Sequence, residues 1–163
     1  MYNDVIAAIS TPPGKGGVAI IRVSGDGALE MAKEFFRPAS GKSIDTYPKR
    51  TQIYGDITVM GEAVDDGMLT LFPAPNSYTG EDTLEVSCHG GILITRRILG
   101  ELFRLGARPS EAGEFTRRAF INGKLTLTEA EAGEYNCLCG QTKTFAAGDV
   151  VELGAWGYML LSK

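Results

Sequence analysis

The sequence predicts an α+β fold, a mixed or antiparallel sheet with packed helices, and three observations carry that prediction. Apolar and alternating runs follow in the order strand, strand, helix, strands, helix, without the regular strand–helix alternation of a doubly wound parallel sheet. Two segments, 28–36 and 92–105, repeat apolar residues at helical spacing. The run TLEVSCH, 83–89, alternates Leu84, Val86 and Cys88 with Thr83, Glu85 and Ser87, as a strand with one buried face does.

The elements follow in order. DVIAAI, 4–9, is short and apolar and reads as a buried strand. TPPGKGG, 11–17, is a loop set by Pro12–Pro13 and three glycines, and VAIIRV, 18–23, is the next strand. Ala28, Met31, Ala32, Phe35 and Phe36 form one helical stripe after the turn residues Ser24, Gly25 and Asp26. Residues 37–50 are polar and turn-rich. TQIYGDITV, 51–59, reads as a strand, GEAVDDGM as a turn into a further strand, and MLTLF, 68–72, as that strand. PAPNSYTGED, 73–82, is a loop before strand 83–89. Gly90–Gly91 open a helix over about 92–105, with Ile94, Ile98, Leu102 and Leu105 facing the core and Gly106 as its stop. A shorter helix is predicted over 111–121, terminated by Asn122–Gly123. Thr128-Glu129-Ala130-Glu131 reads as a capping box for another helix, yet Gly133 follows and residues 133–163 show no helical period.

Length and composition exclude several classes. At 163 residues the chain is an ordinary domain with a short appendage, too short for a motor or a synthetase. With 44% hydrophobic residues it has enough apolar surface to offset chain entropy, so global disorder is excluded. No apolar run reaches the length of about eighteen residues that spans a bilayer, the start MYNDVIAAIS lacks a basic region, and a cytoplasmic location is expected. A net charge of −4 leaves no global basic footprint for nucleic acid. Cys88, Cys137 and Cys139 fit no disulfide scaffold or zinc site. Glycine, at 21 residues, is about twice as frequent as usual and implies tight turns and close backbone approaches.

Several residues invite chemistry. PGKGG, 13–17, lacks the G-x-x-x-x-G-K-[ST] spacing and leads into a strand, so a tight turn outweighs phosphate binding. Cys88 and His89 are neighbours on a strand and point to opposite faces, which makes a poor catalytic dyad; His89 can still line a pocket. Arg22 interrupts an apolar strand, and burying it unpaired would cost several kcal/mol, so it pairs internally, faces solvent or awaits an anionic ligand. Glu85 lies mid-strand, where a carboxylate either is solvated or accepts two parallel N–H bonds from an amino-pyrimidine-like edge. Lys124 follows a helix-ending Asn-Gly. Arg96, Arg97, Arg104, Arg108, Arg117 and Arg118 crowd the second half and read first as solvated helix faces.

Three blocks carry a family resemblance: TPPGKGGVAIIRVSG (11–25), LFPAPNSYTGEDTLEVSCHGG (71–91) and EAGEFTRRAFINGKLTLTEAEA (111–132). In order and spacing they resemble the start of the MnmE/TrmE family of tRNA-modification GTPases, over residues 1–132. The resemblance implies a domain similar to the tetrahydrofolate-binding domain of the glycine-cleavage T-protein. It implies a homodimer and binding of 5-formyl-tetrahydrofolate or a related reduced folate. In the intact family it also implies a MnmG-type partner, tRNA wobble uridine as substrate, and a G domain using GTP and potassium. Arg22 in IIRVSG, Glu85 in TLEVSCHGG and Lys124 in FINGKL match the family's ligand-contact positions. On that basis Glu85 suits the paired donors of the pterin edge, while Arg22 and Lys124 suit the carboxylates of the glutamate tail or the linking carbonyl.

The resemblance divides the chain into an N-terminal folate-binding domain at 1–123, the start of the family's helical domain at 124–132 and a divergent tail at 133–163. The departure after 132 is expected to mark truncation or a frameshift. With no P-loop in the sequence, the chain is not expected to hydrolyse GTP alone. The alternative expectation is a self-association fragment that retains no cofactor binding.

Overall fold

The computed structural model describes residues 4–12, 16–130, 150–152 and 158–160. The chain divides into two units, 1–110 and 111–163. The first holds β1 (Ile6–Ile9), β2 (Val18–Ser24), α1 (Ala28–Phe35), β3 (Phe36–Pro38), a 3₁₀ turn (Ile44–Thr46), β4 (Gln52–Val59), β5 (Glu62–Phe72), β6 (Thr83–His89), α2 (Ile92–Arg104) and β7 (Arg108–Pro109). Its seven strands form one sheet in the order β3-β4-β5-β6-β2-β1-β7. Every pairing is antiparallel except β1 with β7, so the sheet is mixed and the fold is α+β.

The predicted alternation decides which face is covered. Ala19, Ile21 and Val23 of β2, Leu84, Val86 and Cys88 of β6, and Leu69 and Leu71 of β5 are buried in one cluster with Met31 and Phe35 of α1 and Ile98 and Leu102 of α2. Burying each large aliphatic or aromatic side chain contributes roughly 1.5–3 kcal/mol. The opposite face of β2 and β6 carries Arg22 and Glu85. Burial pushes the Cys88 thiol up to about 11, so it behaves as a core residue and not as a nucleophile.

Three expectations in this unit need correction. Residues 37–50 are not wholly irregular. Helix α1 stops at Phe35, and Phe36–Pro38 turn extended to pair with β4, Phe36 facing Ile57 and Pro38 facing Gly55. Pro38 cannot donate to a ladder and biases Arg37 out of the helical region, which suits a short edge strand. The segment 61–68 is mostly strand: β5 starts at Glu62, and the turn is Met60–Gly61, with φ of 51 and 85. Positive φ at both residues is the type I′ geometry that matches the twist of a hairpin. Finally, Arg108–Pro109 add a parallel edge strand beside β1, supported by Ser110 N–H donating to Ala7 O at 3.1 Å.

The second unit contains α3 (Glu114–Ile121), helical residues 127–130 and a pair of antiparallel strands, β8 (Val150–Glu152) and β9 (Tyr158–Leu160). Helix α3 begins three residues later than predicted. It ends as predicted: Gly123 at φ 68 donates to Phe120 O at 3.0 Å, and Lys124 N–H donates to Ala119 O at 2.8 Å. That double bond is the Schellman motif, which needs a left-handed residue and favours Gly. The capping box lies two residues earlier than predicted. Glu129 N–H donates to Thr126 Oγ1 at 3.3 Å, and Thr126 N–H donates back to Glu129 Oε2 at 2.8 Å. Arg118 is fully buried and pairs with buried Glu114 at 3.1 Å, against the expectation of a solvated helix face. Cys137, Cys139 and most of the 133–163 tail lie outside the described residues. Among the described residues, no helix is long and apolar enough to cross a membrane.

Candidate functional site

The site starts from register. β2 and β6 run antiparallel with Arg22 directly opposite Glu85. Both side chains leave the face away from the helices, because each alternates with the core residues on its own strand. Arg22 Nε donates to Glu85 Oε1 at 2.8 Å, and Nη2 reaches the same oxygen at 2.8 Å. Each side chain is 26% exposed. Of the alternatives open for Arg22 in the sequence, internal pairing is realised, and the pair stays accessible to a solute.

A third residue, which sequence reasoning passed over, completes the cluster. The Arg22 guanidinium carbon lies 4.9 Å from the centroid of the Tyr78 ring, within cation–π range. Tyr78 belongs to the loop 73–82, and a network of buried hydroxyls fixes that loop to β2. Thr83 Oγ1 lies 3.1 Å from Thr79 Oγ1, Thr79 Oγ1 lies 2.6 Å from Ser24 Oγ, and Ser24 Oγ donates to Glu81 Oε2 at 2.9 Å. Ser24, Thr79 and Thr83 are essentially inaccessible to solvent. Gly25 N–H donates to Asp82 O at 3.0 Å, and Ala74 N–H to Asp82 Oδ1 at 2.8 Å, tying down the end and the beginning of the loop. The signal in the sequence was weak: Ser24, Thr79 and Thr83 are ordinary turn and strand residues until the fold brings them together.

Lys124 lies in the second unit, directly after the left-handed Gly123 that follows the α3 C-cap Asn122, and its side chain is exposed. Thus Arg22 and Glu85 are brought together within the first unit, and Lys124 is placed by its own turn in the other.

Two further features lie elsewhere. Asp65, Asp66 and His89 each offer a ligand atom, all within 4.8 Å of one another. Both oxygens of Asp65 are already engaged there, Oδ1 with His89 Nδ1 at 2.7 Å and Oδ2 with the His89 N–H at 2.8 Å. This bond to Asp65 raises the His89 pKa. Gly90 packs backbone to backbone: a Cβ there would lie 2.1 Å from Gly16 O, which accounts for the glycine after His89 without a ligand. A groove of about 310 Å³ is lined by Lys33, Arg37, Lys42, Ser43 and neighbours, away from Arg22 and Glu85. Two of its cations serve the fold. Lys33 pairs with Glu30 and Asp45, and Arg37 donates to the carbonyls of Lys33 and Phe36 at the end of α1.

Residues 5–124 match the family model described as GTP-binding protein TrmE N-terminus. The chain is 50% identical over 130 residues to the tRNA modification GTPase MnmE of Clostridioides difficile (strain 630), covering 80% of this chain and 28% of that protein. It is 48% identical over 134 residues to the protein of the same name from Moorella thermoacetica, covering 81% and 29%. A third, from Geobacter sulfurreducens, is 50% identical over 135 residues, again covering 81% and 29%. The chain therefore spans less than a third of the length of these relatives.

Proposed function

The chain belongs to the family of the GTP-binding protein TrmE N-terminus, and from that premise we propose that it is a binding module for a reduced folate of the 5-formyl-tetrahydrofolate type. In this reading it also forms a homodimer and serves a cytoplasmic tRNA wobble-uridine modification system with a MnmG-type partner. Its fold is then of the kind found in the folate-binding domain of the glycine-cleavage T-protein. GTP hydrolysis belongs to other parts of such a system.

The observation that carries the reading is the accessible Arg22–Glu85 pair on the sheet face away from the helices. An acid and a base side by side match a ligand that combines a donor-rich heterocycle with an anionic tail. Glu85 takes the N–H and NH₂ donors of the pterin edge, and Arg22 and Lys124 take the carbonyl or carboxylates. Self-association draws support from Tyr54 and Met68. They sit opposite each other on β4 and β5, on the same face, and are 52% and 36% exposed.

Calorimetric titration with 5-formyltetrahydrofolate tests the reading. Wild type binds, and Glu85→Ala weakens binding about tenfold or more, since a hydrogen bond to a charged group contributes roughly 1.5–3 kcal/mol. Equal affinity of the two proteins, or a flat wild-type titration, refutes it. A flat titration with a dimer in light scattering would leave a self-association module.

A further inference from the structure

We infer that the Arg22–Glu85 ion pair is a closed state of the site, in which the arginine occupies the place of the ligand's amino-pyrimidinone edge, and that Tyr78 is the positioning residue that keeps Arg22 at the site once that edge displaces it. The inference rests on the folate reading above.

A guanidinium and a 2-amino-pyrimidinone present the same thing to a carboxylate: two N–H donors from neighbouring nitrogens on one carbon, in one plane. Arg22 uses this fork on Glu85 now, and Nε and Nη2 both converge on Oε1 at 2.8 Å. A pterin edge that takes Glu85 as a pair must therefore displace the fork. The guanidinium has a second support, the Tyr78 ring at 4.9 Å, which does not depend on Glu85. The ring is on a loop held through buried Ser24, Thr79 and Thr83, so it stays in place while the arginine changes partner. At 26% exposure the side chains have solvent on one side, so the exchange opens no core.

The consequence is a sign change that a static binding site does not produce. Arg22→Ala removes the competitor for Glu85, so a tetrahydropterin without a glutamate tail binds this variant more tightly than wild type. The same substitution removes a partner for the rest of the ligand, so 5-formyltetrahydrofolate binds more weakly. Tyr78→Ala lowers 5-formyltetrahydrofolate affinity by about three- to tenfold, the range of a cation–π contact at a partly exposed site, while Tyr78→Phe, which keeps the ring face, restores it.

Calorimetry on wild type and the three variants with both ligands gives the answer, with thermal unfolding of each variant as the control for folding. If Arg22→Ala weakens or leaves unchanged the tetrahydropterin, the closed state is wrong. If Tyr78→Ala binds as wild type, or Tyr78→Phe fails to rescue, the role of Tyr78 is wrong. If wild type binds neither ligand, the folate reading itself fails and takes this inference with it.

Discussion

Replacing Ser24 by alanine tests the hydroxyl network that holds the 73–82 loop. Ser24 donates to the Glu81 carboxylate, which leaves Thr79 to donate to Ser24 in a short relay, while the Thr83 hydroxyl lies within reach of Thr79 Oγ1, Glu81 O and Ser24 Oγ at 3.1, 3.2 and 3.3 Å. Alanine deletes the link at 2.6 Å and the charge-assisted link at 2.9 Å, at a position with no solvent access. A hydrogen bond to a charged group contributes roughly 1.5–3 kcal/mol, and water cannot easily replace this one. With a urea dependence of about 2 kcal/mol per molar, the unfolding midpoint falls by about 1 M. Thr79→Val cuts the same relay one step earlier, so the double variant loses less than the two single losses together. The coupling exceeds about 0.5 kcal/mol. Urea titration followed by far-UV circular dichroism measures both quantities. A midpoint shift under about 0.25 M, or additive losses, refutes the relay.

Two predictions concern pH. His89 is the single histidine of the chain, and its bond to Asp65 raises its pKa above the ordinary 6.5. Its ring protons, followed by NMR, titrate with a midpoint above 6.5, and Asp65→Asn brings the midpoint down. The stabilisation from this pair is full below the unfolded value and is lost as pH rises through the raised one. Glu101 of α2 accepts from Arg104 at 2.8 and 2.7 Å and from the Met60 N–H at 3.1 Å, binding the helix to the β4–β5 turn. Arg104 foremost holds its carboxyl below the usual 4.5. The stability difference between wild type and Glu101→Gln is therefore full above pH 4.5 and closes as pH falls through the lowered value; a difference independent of pH refutes the assignment.

What the residues reveal alone depends on how far their partners lie along the chain. The α1 stripe is legible because each of Ala28, Met31, Ala32 and Phe35 lies within one turn of the next, and all four are buried. Phe36 falls on the same stripe and is buried too, but as the first residue of β3, which exists through pairing with β4 some twenty residues on. TLTEAE holds two overlapping capping strings, Thr126–Glu129 and Thr128–Glu131, and local pattern does not choose between them; the structure chooses the first. Arg118 carries a local clue in Glu114, four residues back, which marks a pair without marking its burial. Arg22 and Glu85 are each legible as odd charges on apolar strands, but their contact is a matter of register between residues 63 positions apart. Tyr78 gives no signal until the loop is folded onto β2.

The parallel pairing of Ile6 and Ala7 with Arg108 and Pro109 bears on how the molecule is made. On a ribosome the first strand emerges about a hundred residues before its outer neighbour, and β2 meets β6 only after the intervening hairpin has been synthesised. The sheet therefore closes late: β6 joins the two strand groups in its middle, and the edge beside β1 stays unfinished until Arg108 to Ser110 have left the exit tunnel.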